Sequence, residues 1–499
     1  MSLKLITVIG LIVIGLATCN TQLKAPNSNT TQGTSNSRSE TLTTAEVEPQ
    51  LIVDPAPPQN PMAAAEQNFK TYCSGCHGTN ANVFVDRKWE HGNDRPSLIK
   101  SMRSGIIQEG MPAFDTTFTS SELEEMADYI LKAVAQRSSY TTETQRTPKY
   151  TEENDYTLVI DTVATDAEIP WGIKVDKQGT LYYTDRKGDL YIKTNGSDAT
   201  KIGGVPKVWE YGQGGLLDVA LHPQFSDTQI LYLTYSRQQP GTDLGTTVLV
   251  SGVLKGNQLT SVKQLFEALP YVDTRYHFGS RVVFDNSGYL YVSVGDRGKR
   301  DDHPQYLTND CGKIHRLHLD GTIPDDNPFK GDDGKPLSIW SYGHRNPQGL
   351  IYDPVTNTVW DNEHGPRGGD ELNLIEKGKN FGWPLVSYGI NYNGTTFTDL
   401  TTQEGMVDAK TTWVPSIAPS GMAIIDSPVF SKWKGDILTG SLRFDYISRV
   451  KIENNTVVEE ERILEGIGRV RSVEMGRDGY IYVGVEEPGR ILRVSVNQD

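Results

Sequence analysis

The sequence predicts an all-β propeller of six blades, preceded by a small all-α domain. A short sequence pattern, typical of a turn followed by a strand, recurs six times in the second part of the chain. Helical periodicity is confined to a short stretch before it. Strands that alternate with helical patterns would favour a parallel α/β fold, and the sequence does not show them. A pair of β-sandwiches is the alternative for the strand-rich part.

Size and charge limit the class of partner. The chain has 499 residues, which is too long for one ordinary core, so more than one domain is expected. Its formal net charge is −15 at pH 7. Because phosphate binding requires a basic footprint, nucleic acid is not expected as a partner.

Residues 1–18 have the pattern of an export signal of lipoprotein type. Lys4 precedes an uncharged apolar run at 5–16, which is shorter than a comfortable membrane span. The following LATC at 16–19 resembles a bacterial lipobox with Cys19 as the lipidated residue, although Thr18 departs from the usual small residue. Plain secretory cleavage and an uncleaved anchor are the alternatives. All three predict a periplasmic or extracellular-facing protein, and the first predicts a membrane anchor at Cys19.

The next two segments are expected to be a tether and a helical domain. Residues 19–60 are rich in Ser, Thr, Asn, Gln and Pro and cannot bury enough surface to fold. Within residues 61–138, a helix is predicted from Ala63 to Tyr72. Thr119 and Glu122 form the capping signature of a second helix, which continues to about Gln136. One stripe of that helix is apolar, at Leu123, Met126, Ile130 and Val134. Residues 139–154 are expected to be a linker.

The stretch YCSGCHG at 72–78 contains a Cys-x-x-Cys-His motif. This motif is the signature of covalent c-type haem attachment, with Cys73 and Cys76 as the thioether partners and His77 as the proximal iron ligand. A zinc half-site would need a second ligand pair, which the leftover Cys311 alone does not supply. A redox dithiol would be expected beside a βαβ pattern, which is missing. Cys311 is expected to be a buried, inert thiol.

The sixth iron ligand is expected to be a methionine further along the chain. Met111 lies in GMPAF at 110–114, a context that lets a loop present its sulfur. Met102 is nearer but lies within a predicted helix, so Met111 is chosen. His91 is expected to be a surface histidine. Residues 62–137 resemble a small class I cytochrome c domain, and His/Met ligation suits electron transfer.

The repeated phrase predicts the propeller. Each copy is a turn rich in Asp, Pro or Gly, followed by a strand of alternating aromatic and aliphatic residues. The copies lie at 176–185, 222–235, 285–296, 353–363, 430–441 and 477–486. Their spacings of roughly 45 to 80 residues suit one copy per blade. Residues 155–499 are therefore expected to form the propeller.

A series of phrases within 165–495 resembles the soluble quinoprotein glucose/sorbosone dehydrogenases, and more closely their aldose sugar dehydrogenase relatives. They include IPWGI at 169–173, GQGGLLDVALHPQF at 212–225, HFGSRVVF at 277–284, YLYVSVGDRG at 289–298, YGHRNPQGL at 342–350, NEHGPRGGDELN at 362–373 and NFGWP at 380–384. The resemblance implies that pyrroloquinoline quinone (PQQ) binds with calcium at the centre of a six-bladed propeller. It also implies oxidation of an aldose sugar at C1 to the lactone.

The resemblance assigns catalytic roles to four residues. His277 matches the family's catalytic base, and a neutral imidazole suits proton removal near neutral pH. Asp296 matches the acid that orients this histidine. Gln213 matches a side chain near the substrate. Arg345 is assigned both to catalysis and to the cofactor. His222, in a turn before a strand, is expected to be structural.

Cofactor contacts follow from the same resemblance. Arg345 and Asn346 match residues that contact PQQ, whose carboxylates and quinone oxygens need cations and donors. Arg443 and Arg471 match later basic positions, and Arg469 is the near rival of Arg471. Pairing with a neighbouring blade is the structural alternative for each arginine.

Calcium is expected on oxygen ligands. The resemblance implies the main-chain carbonyls of Gly365 and Pro366, with PQQ completing the coordination sphere. The carboxylates of Glu363, Asp370 and Glu371 either hold a second calcium or brace the loop.

Together these features predict a quinohaemoprotein that passes electrons from PQQ to its own haem and on to a downstream cytochrome or oxidase. A tethered haem is an acceptor at high effective concentration. Tyr276 stands where the soluble glucose dehydrogenase type has an acid, which favours a broader aldose dehydrogenase. The alternatives are a PQQ-dependent sorbosone or alcohol dehydrogenase and a non-catalytic sugar-binding propeller.

Overall fold

The computed structural model describes residues 61–77, 91–106, 111–137, 149–153, 155–392, 395–486 and 488–497. The predictions for the export signal, for Cys19 and for the tether at 19–60 lie outside the described residues. So do most of the predicted linker and the side chain of Cys76.

The helical domain begins with three continuous helical segments. They are α1 (Pro61–Asn68), a π-helical turn (Phe69–Cys73) and α2 (Ser74–His77). Two further helices follow, α3 (Arg95–Ser104) and α4 (Ser120–Arg137). The predicted capping box is present, since Thr119 N donates to Glu122 Oε2 at 2.7 Å and Glu122 N donates to Thr119 Oγ1 at 3.3 Å. The apolar stripe of α4 packs against Phe69 and Cys73, so one small core joins the motif to the last helix.

The rest of the chain forms six antiparallel sheets arranged as blades. The first four are β3–β6 (Pro170–Val175, Leu181–Asp185, Asp189–Lys193, Thr200–Lys201), β7–β10 (Leu216–Leu221, Ile230–Gln238, Gly245–Lys255, Gln258–Glu267), β11–β14 (Val282–Phe284, Tyr289–Val294, Lys313–His318, Ile339–Tyr342) and β15–β18 (Pro347–Asp353, Thr358–Glu363, Asp370–Ile375, Thr411–Trp413). The fifth is β19–β22 (Pro419–Ile424, Ile437–Ser441, Ile447–Glu453, Thr456–Ile463). The sixth joins β23–β25 (Arg469–Met475, Ile481–Glu486, Arg490–Val496) to β2 (Thr157–Ala164) and β1 (Lys149–Glu152). Two short helical segments, α5 (Phe225–Thr228) and a 3₁₀ turn (Pro428–Trp433), precede β8 and β20.

Each copy of the repeated phrase supplies the turn before the second strand of a blade and that strand itself. The second strands are β4, β8, β12, β16, β20 and β24. Most of their residues are buried on both faces, because neighbouring blades cover each sheet from either side. The six-bladed prediction is therefore confirmed, and the sandwich alternative is wrong.

The ring closes by pairing a strand from each end of the domain. β2 runs antiparallel to β25, with Leu158 opposite Val496 and Thr162 opposite Leu492. Apolar clusters then fill the spaces between adjacent blades, as where Leu158 and Val494 pack with Trp433 of the fifth blade. Across the described residues, none of the helices has the length and apolar character that a membrane span requires.

Candidate active site

A cavity of about 650 Å³ lies where the innermost strands of the blades begin. All six blades contribute to its wall, through Trp171, Leu217, Gly279, Asn346, Ala418 and Arg471. The cavity therefore lies at the centre of the propeller, where the resemblance placed the cofactor. Its wall also includes Thr71, Tyr72 and His77 of the helical domain.

His277 and Asp296 form a hydrogen-bonded pair on this wall. Nδ1 of His277 lies 2.6 Å from Oδ1 of Asp296, and both side chains are largely buried. Two further donors fix the carboxylate: the Gly298 amide reaches Oδ1 at 2.7 Å, and the indole Nε1 of Trp383 reaches Oδ2 at 2.9 Å. Asp296 is thus held rigidly, and its position sets the orientation of the imidazole.

Electrostatics favour a neutral His277 beside an ionised Asp296. Burial lowers the pKa of His277, and the nearby Arg345 guanidinium lowers it further, against the opposing effect of Asp296. Burial alone would raise the pKa of Asp296, but His277, Arg345 and the Gly298 amide outweigh it and hold that pKa below its usual value. Since an ionised carboxylate only accepts hydrogen bonds, Nδ1 of His277 carries the proton and Nε2 keeps its lone pair.

The backbone around His277 is held in a demanding conformation. His277 has a φ of +60°, in the left-handed region that non-glycine residues seldom occupy. Oε1 of Gln213 accepts a hydrogen bond from the His277 amide at 2.9 Å. Arg297, which is fully buried and lies over the Phe278 ring, donates to the Tyr276 and Thr274 carbonyls on the preceding loop. Gln213 therefore contacts His277 through the main chain, and Arg297 fixes the loop that carries His277.

Arg345 lies on the wall beside this pair. Its Nη1 donates to the His364 carbonyl at 3.0 Å, and its guanidinium lies 5.3 Å from the centre of the Trp383 ring. Its buried Nε has no hydrogen-bond partner in the described part of the chain. The neighbouring Asn346 is held by Oδ1, which accepts from Gln348 Nε2 at 3.2 Å. An unsatisfied guanidinium donor in a cavity fits an anionic or carbonyl-bearing ligand.

Arg469 and Arg471 both line the cavity and share one carboxylate. Nε of Arg469 lies 2.8 Å from one oxygen of Glu486, and Nε of Arg471 lies 2.6 Å from the other. Nη1 of Arg471 also donates to Gln348 Oε1 at 3.2 Å. Two guanidinium groups therefore share one buried carboxylate at the cavity wall.

Arg443 lies at the border between the cavity and the helical domain. Its Nη1 donates to the Ser416 carbonyl of the propeller at 3.0 Å. Its Nε and Nη2 donate to Ser74 Oγ at 3.1 Å and to the Lys70 carbonyl at 2.8 Å, both in the helical domain. Sequence reasoning offered no signal for these last two contacts.

The loop with Gly365 and Pro366 reaches the cavity wall and is braced from behind. Asp370 accepts hydrogen bonds from the Gly365 amide at 2.8 Å, from Ser416 Oγ at 2.7 Å and from the Ala418 amide at 2.9 Å. A Cβ on Gly365 would lie 2.3 Å from the Gly368 carbonyl oxygen, so the turn requires glycine. The two carbonyls named as calcium ligands therefore lie on a fixed turn.

Glu363 lies behind the cavity wall, in a buried group with His344 and Asp361. Its carboxylate accepts from the Arg345 and Asn346 amides and lies 3.1 Å from Nδ1 of His344. Neither carboxylate oxygen of Asp361 accepts a hydrogen bond from the described residues. One ligand atom from each of the three side chains falls within 4.8 Å of the others, a spacing that suits one metal ion.

In the described part of the helical domain, two of the predicted haem-binding residues, Cys73 and Met111, lie at one apolar core. Cys73 is buried in it, Met111 packs against it, and Met102 is buried inside it on α3. Met111 is held in place by a two-way backbone bridge to Ile106, with N–O distances of 2.8 and 3.2 Å. His91 is exposed, while Cys311 is fully buried and burial raises its pKa to about 12.

Sequence reasoning missed several residues of the site. Trp383 was only part of the quoted NFGWP phrase, and Arg297 directly follows Asp296 in VGDRG. His344 lies within the quoted YGHRNPQGL. Gln348 lies in that phrase too, whereas Glu486 lies at the end of the sixth repeat. The motifs therefore marked the neighbourhood, but some of the partners come from other blades, as where Trp383 reaches Asp296 and Gln348 reaches Arg471.

Comparisons with known proteins agree with this geometry. Residues 167–493 match the family model for glucose/sorbosone dehydrogenase, and residues 60–130 match that for subunit III of cbb3-type cytochrome c oxidase. The aldose sugar dehydrogenase YliI of Escherichia coli is 39% identical over 68% of this chain and 93% of its own length. The apo crystal structure of the soluble E. coli aldose sugar dehydrogenase superposes with a TM-score of 0.65 at 38% identity, covering 68% of this chain and 100% of the other. The PQQ-bound aldose sugar dehydrogenase of Streptomyces coelicolor gives a TM-score of 0.56 at 26% identity, covering 68% of this chain and 98% of the other.

The fold and site therefore define a propeller oxidoreductase with a cytochrome c domain at its N-terminal side. The chain belongs to the glucose/sorbosone dehydrogenase family.

Proposed function

We propose that this protein oxidises an aldose sugar at C1 to the lactone with PQQ and passes the electrons to a haem c on the same chain. The observation that supports this most strongly is the shared cavity. The His277–Asp296 pair and the arginines face a space whose wall also contains His77 of the haem motif. The comparison with the aldose sugar dehydrogenases supports the same substrate class.

The chain's own residues handle the substrate proton. The lone pair on Nε2 of His277 accepts the proton of the C1 hydroxyl, while the proton on Nδ1 stays shared with Asp296. Asp296 stabilises the imidazolium that results. PQQ, when bound, supplies the acceptor for the hydride from C1. Loss of one proton and one hydride turns the hemiacetal into the lactone.

The residues present fit PQQ, which is a planar tricarboxylate. Arg345 offers an unpartnered Nε, and Asn346 and Arg471 lie on the same wall. The carbonyls of Gly365 and Pro366 would hold a calcium ion beside it. The buried group of His344, Asp361 and Glu363 is a candidate for a second metal ion, and the carboxylates of Asp361 and Glu363, with Glu371 close to them, would supply the oxygen ligands if that ion is calcium.

The cytochrome domain fits covalent haem. Cys73 and Cys76 would carry the thioethers, and His77 and Met111 would ligate the iron. The haem supplies a one-electron outlet to a downstream cytochrome or oxidase. We place the protein in the periplasm or on an outward-facing surface, with a lipid anchor at Cys19, on the strength of residues 1–19.

A visible spectrum tests the proposal. The haem-containing protein is reconstituted with PQQ and calcium and recorded before and after the addition of glucose, and in parallel with galactose and with a simple alcohol. Appearance of the reduced α-band on sugar addition supports both sites and their coupling. A band that appears only with dithionite would contradict the proposal, and a response to alcohol alone would favour the alcohol dehydrogenase alternative.

A further inference from the structure

Arg443 joins the propeller to the helix that carries the haem motif. Its guanidinium donates to one carbonyl of the propeller, at Ser416, and to two acceptors of the cytochrome domain, Ser74 Oγ and the Lys70 carbonyl. Ser74 directly follows Cys73 and is fully buried. A planar guanidinium can serve three acceptors in fixed directions, whereas a lysine ammonium cannot reproduce that fork.

Arg367 makes a second contact with the same helical segment. Its guanidinium lies 4.4 Å from the centre of the Tyr72 ring, within the range of a cation–π interaction. The loop beneath it is fixed, because the Arg367 amide donates to the Ile390 carbonyl at 3.0 Å and Asp370 braces the preceding turn. Tyr72 is fixed in turn by edge contacts with Phe114 and Phe118.

These two contacts lie at the start of the haem motif and border the cavity. Arg367, Arg443, Tyr72 and His77 all line the same cavity as His277. The segment from Lys70 to His77 therefore covers part of the opening through which the propeller cavity would meet the haem.

We propose that Arg367 and Arg443 form a docking site for the chain's own cytochrome domain, which holds the haem motif over the catalytic cavity. This inference rests on the proposed function, since docking matters only if electrons cross from the propeller to the haem. Each turnover removes two electrons and two protons from the sugar. With both cofactors bound, PQQ would take up the two electrons as hydride, the haem would pass them one at a time to an external one-electron acceptor, and the protons would pass to solvent.

Arg367→Gln is the first variant, because it removes the cation without changing the cytochrome domain. Arg443→Gln is the second, and the double variant is the third. Arg300→Gln is the matched control: Arg300 also lies at the cavity and over an aromatic ring, at 4.9 Å from the centre of Phe397, and its hydrogen bonds are to Asp301 and Asn391 of the propeller.

Hydrogen exchange measures docking without any turnover. In the haem-loaded, PQQ-free protein, the amides of 69–77 should exchange roughly fivefold faster or more in Arg367→Gln and Arg443→Gln, and faster still in the double variant. The amides of 120–134 on α4 should be unchanged, which shows that the cytochrome domain itself remains folded. Unchanged exchange at 69–77 in all three variants would overturn the docking site.

Stopped-flow spectroscopy measures the effect of docking on the rate of haem reduction. After mixing with sugar, haem reduction should be at least roughly tenfold slower in Arg367→Gln, while sugar-dependent reduction of an added dye is unchanged. Equal haem reduction rates in wild type and the double variant would overturn the inference. If sugar never reduces the wild-type haem while exchange at 69–77 still rises in the variants, the proposed function fails and the docking site stands. A PQQ titration of Arg443→Gln separates docking from the predicted cofactor contact, because docking alone leaves the PQQ affinity unchanged.

Discussion

The indole of Trp383 donates a hydrogen bond to Asp296 on the side of the carboxylate that faces away from His277. Nε1 lies 2.9 Å from Oδ2, while His277 and the Gly298 amide occupy Oδ1. The two residues are 87 positions apart in the chain. Asp296 is therefore held by three contacts, and in the proposed mechanism Trp383 is a positioning residue for the His277–Asp296 pair.

Trp383→Phe should lower kcat/KM for the sugar roughly tenfold to a hundredfold, because the variant removes a hydrogen bond to a buried charge. Without the hydrogen bond from Trp383, the negative charge of Asp296 acts more strongly on His277 and should raise the pKa of His277. The acid limb of the kcat/KM profile should therefore move to higher pH. Trp413→Phe is the matched control, since Nε1 of Trp413 donates to Glu460 at 2.7 Å outside the cavity. A loss of activity with no shift of the acid limb would argue for a purely structural role.

Met111→Leu should remove the sixth ligand of the haem iron. We expect a change from a low-spin to a high-spin spectrum and a lower midpoint potential, because thioether ligation raises the potential. Met102→Leu should keep the low-spin spectrum, since Met102 is 3% exposed within the core of α3 and α4. If Met102→Leu and not Met111→Leu gave the high-spin spectrum, Met102 would be the iron ligand.

Asp361→Asn should stabilise the calcium-free protein. Burial and the neighbouring Glu363 carboxylate raise the pKa of Asp361, so a neutral amide removes an unfavourable buried acid, worth about 1–3 kcal/mol in the free energy of unfolding. In the PQQ-free protein, where the proposed site at Gly365 and Pro366 lacks its PQQ ligand, the same variant should lose the rise in Tm that calcium gives the wild type. Asp436→Asn is the contrasting control: it breaks a 2.6 Å contact with Arg449 and should be destabilising with or without calcium. A wild-type Tm that does not respond to calcium or to a chelator would exclude the buried metal.

The buried histidines should lower the free energy of unfolding as the pH falls from 7 to 5, against the opposite contribution of Asp370 and Glu371, whose pKa values burial raises to about 6 and about 8. Burial lowers the pKa of His277, His303, His315 and His364, so the unfolded chain takes up protons near pH 6.5 that the folded state does not. Each such histidine contributes up to about 1.4 kcal/mol per pH unit in this range. His315→Gln should reduce the pH dependence of the free energy of unfolding by the contribution of one histidine. Chemical unfolding of the wild type and the variant at several pH values measures this.

Much of the fold could be predicted because it is encoded locally. The repeated phrase marks the second strand of every blade, and the capping box at Thr119 marks the start of α4. These signals depend on residues close together in the sequence.

The contacts of the site could not be predicted in the same way. Arg443 reaches Lys70 across 373 positions and Trp383 reaches Asp296 across 87. The buried group around Asp361 differs, because His344 lies in the loop before β15 and Asp361 in the paired strand β16, so these residues meet within one blade. Local patterns identify which residue types lie near the cavity, but the closed ring decides which of them meet.

The pairing of β2 with β25 sets the order in which the two domains can complete their folding. β2 begins at Thr157, and its partner ends at Val496. The ribosome has therefore made the whole cytochrome domain long before the strand that closes the propeller exists. Because contacts at such large sequence separation form slowly, the last blade should be the slowest step of folding. The cytochrome core, which needs nothing beyond α4, is complete in sequence while the propeller is still an open ring.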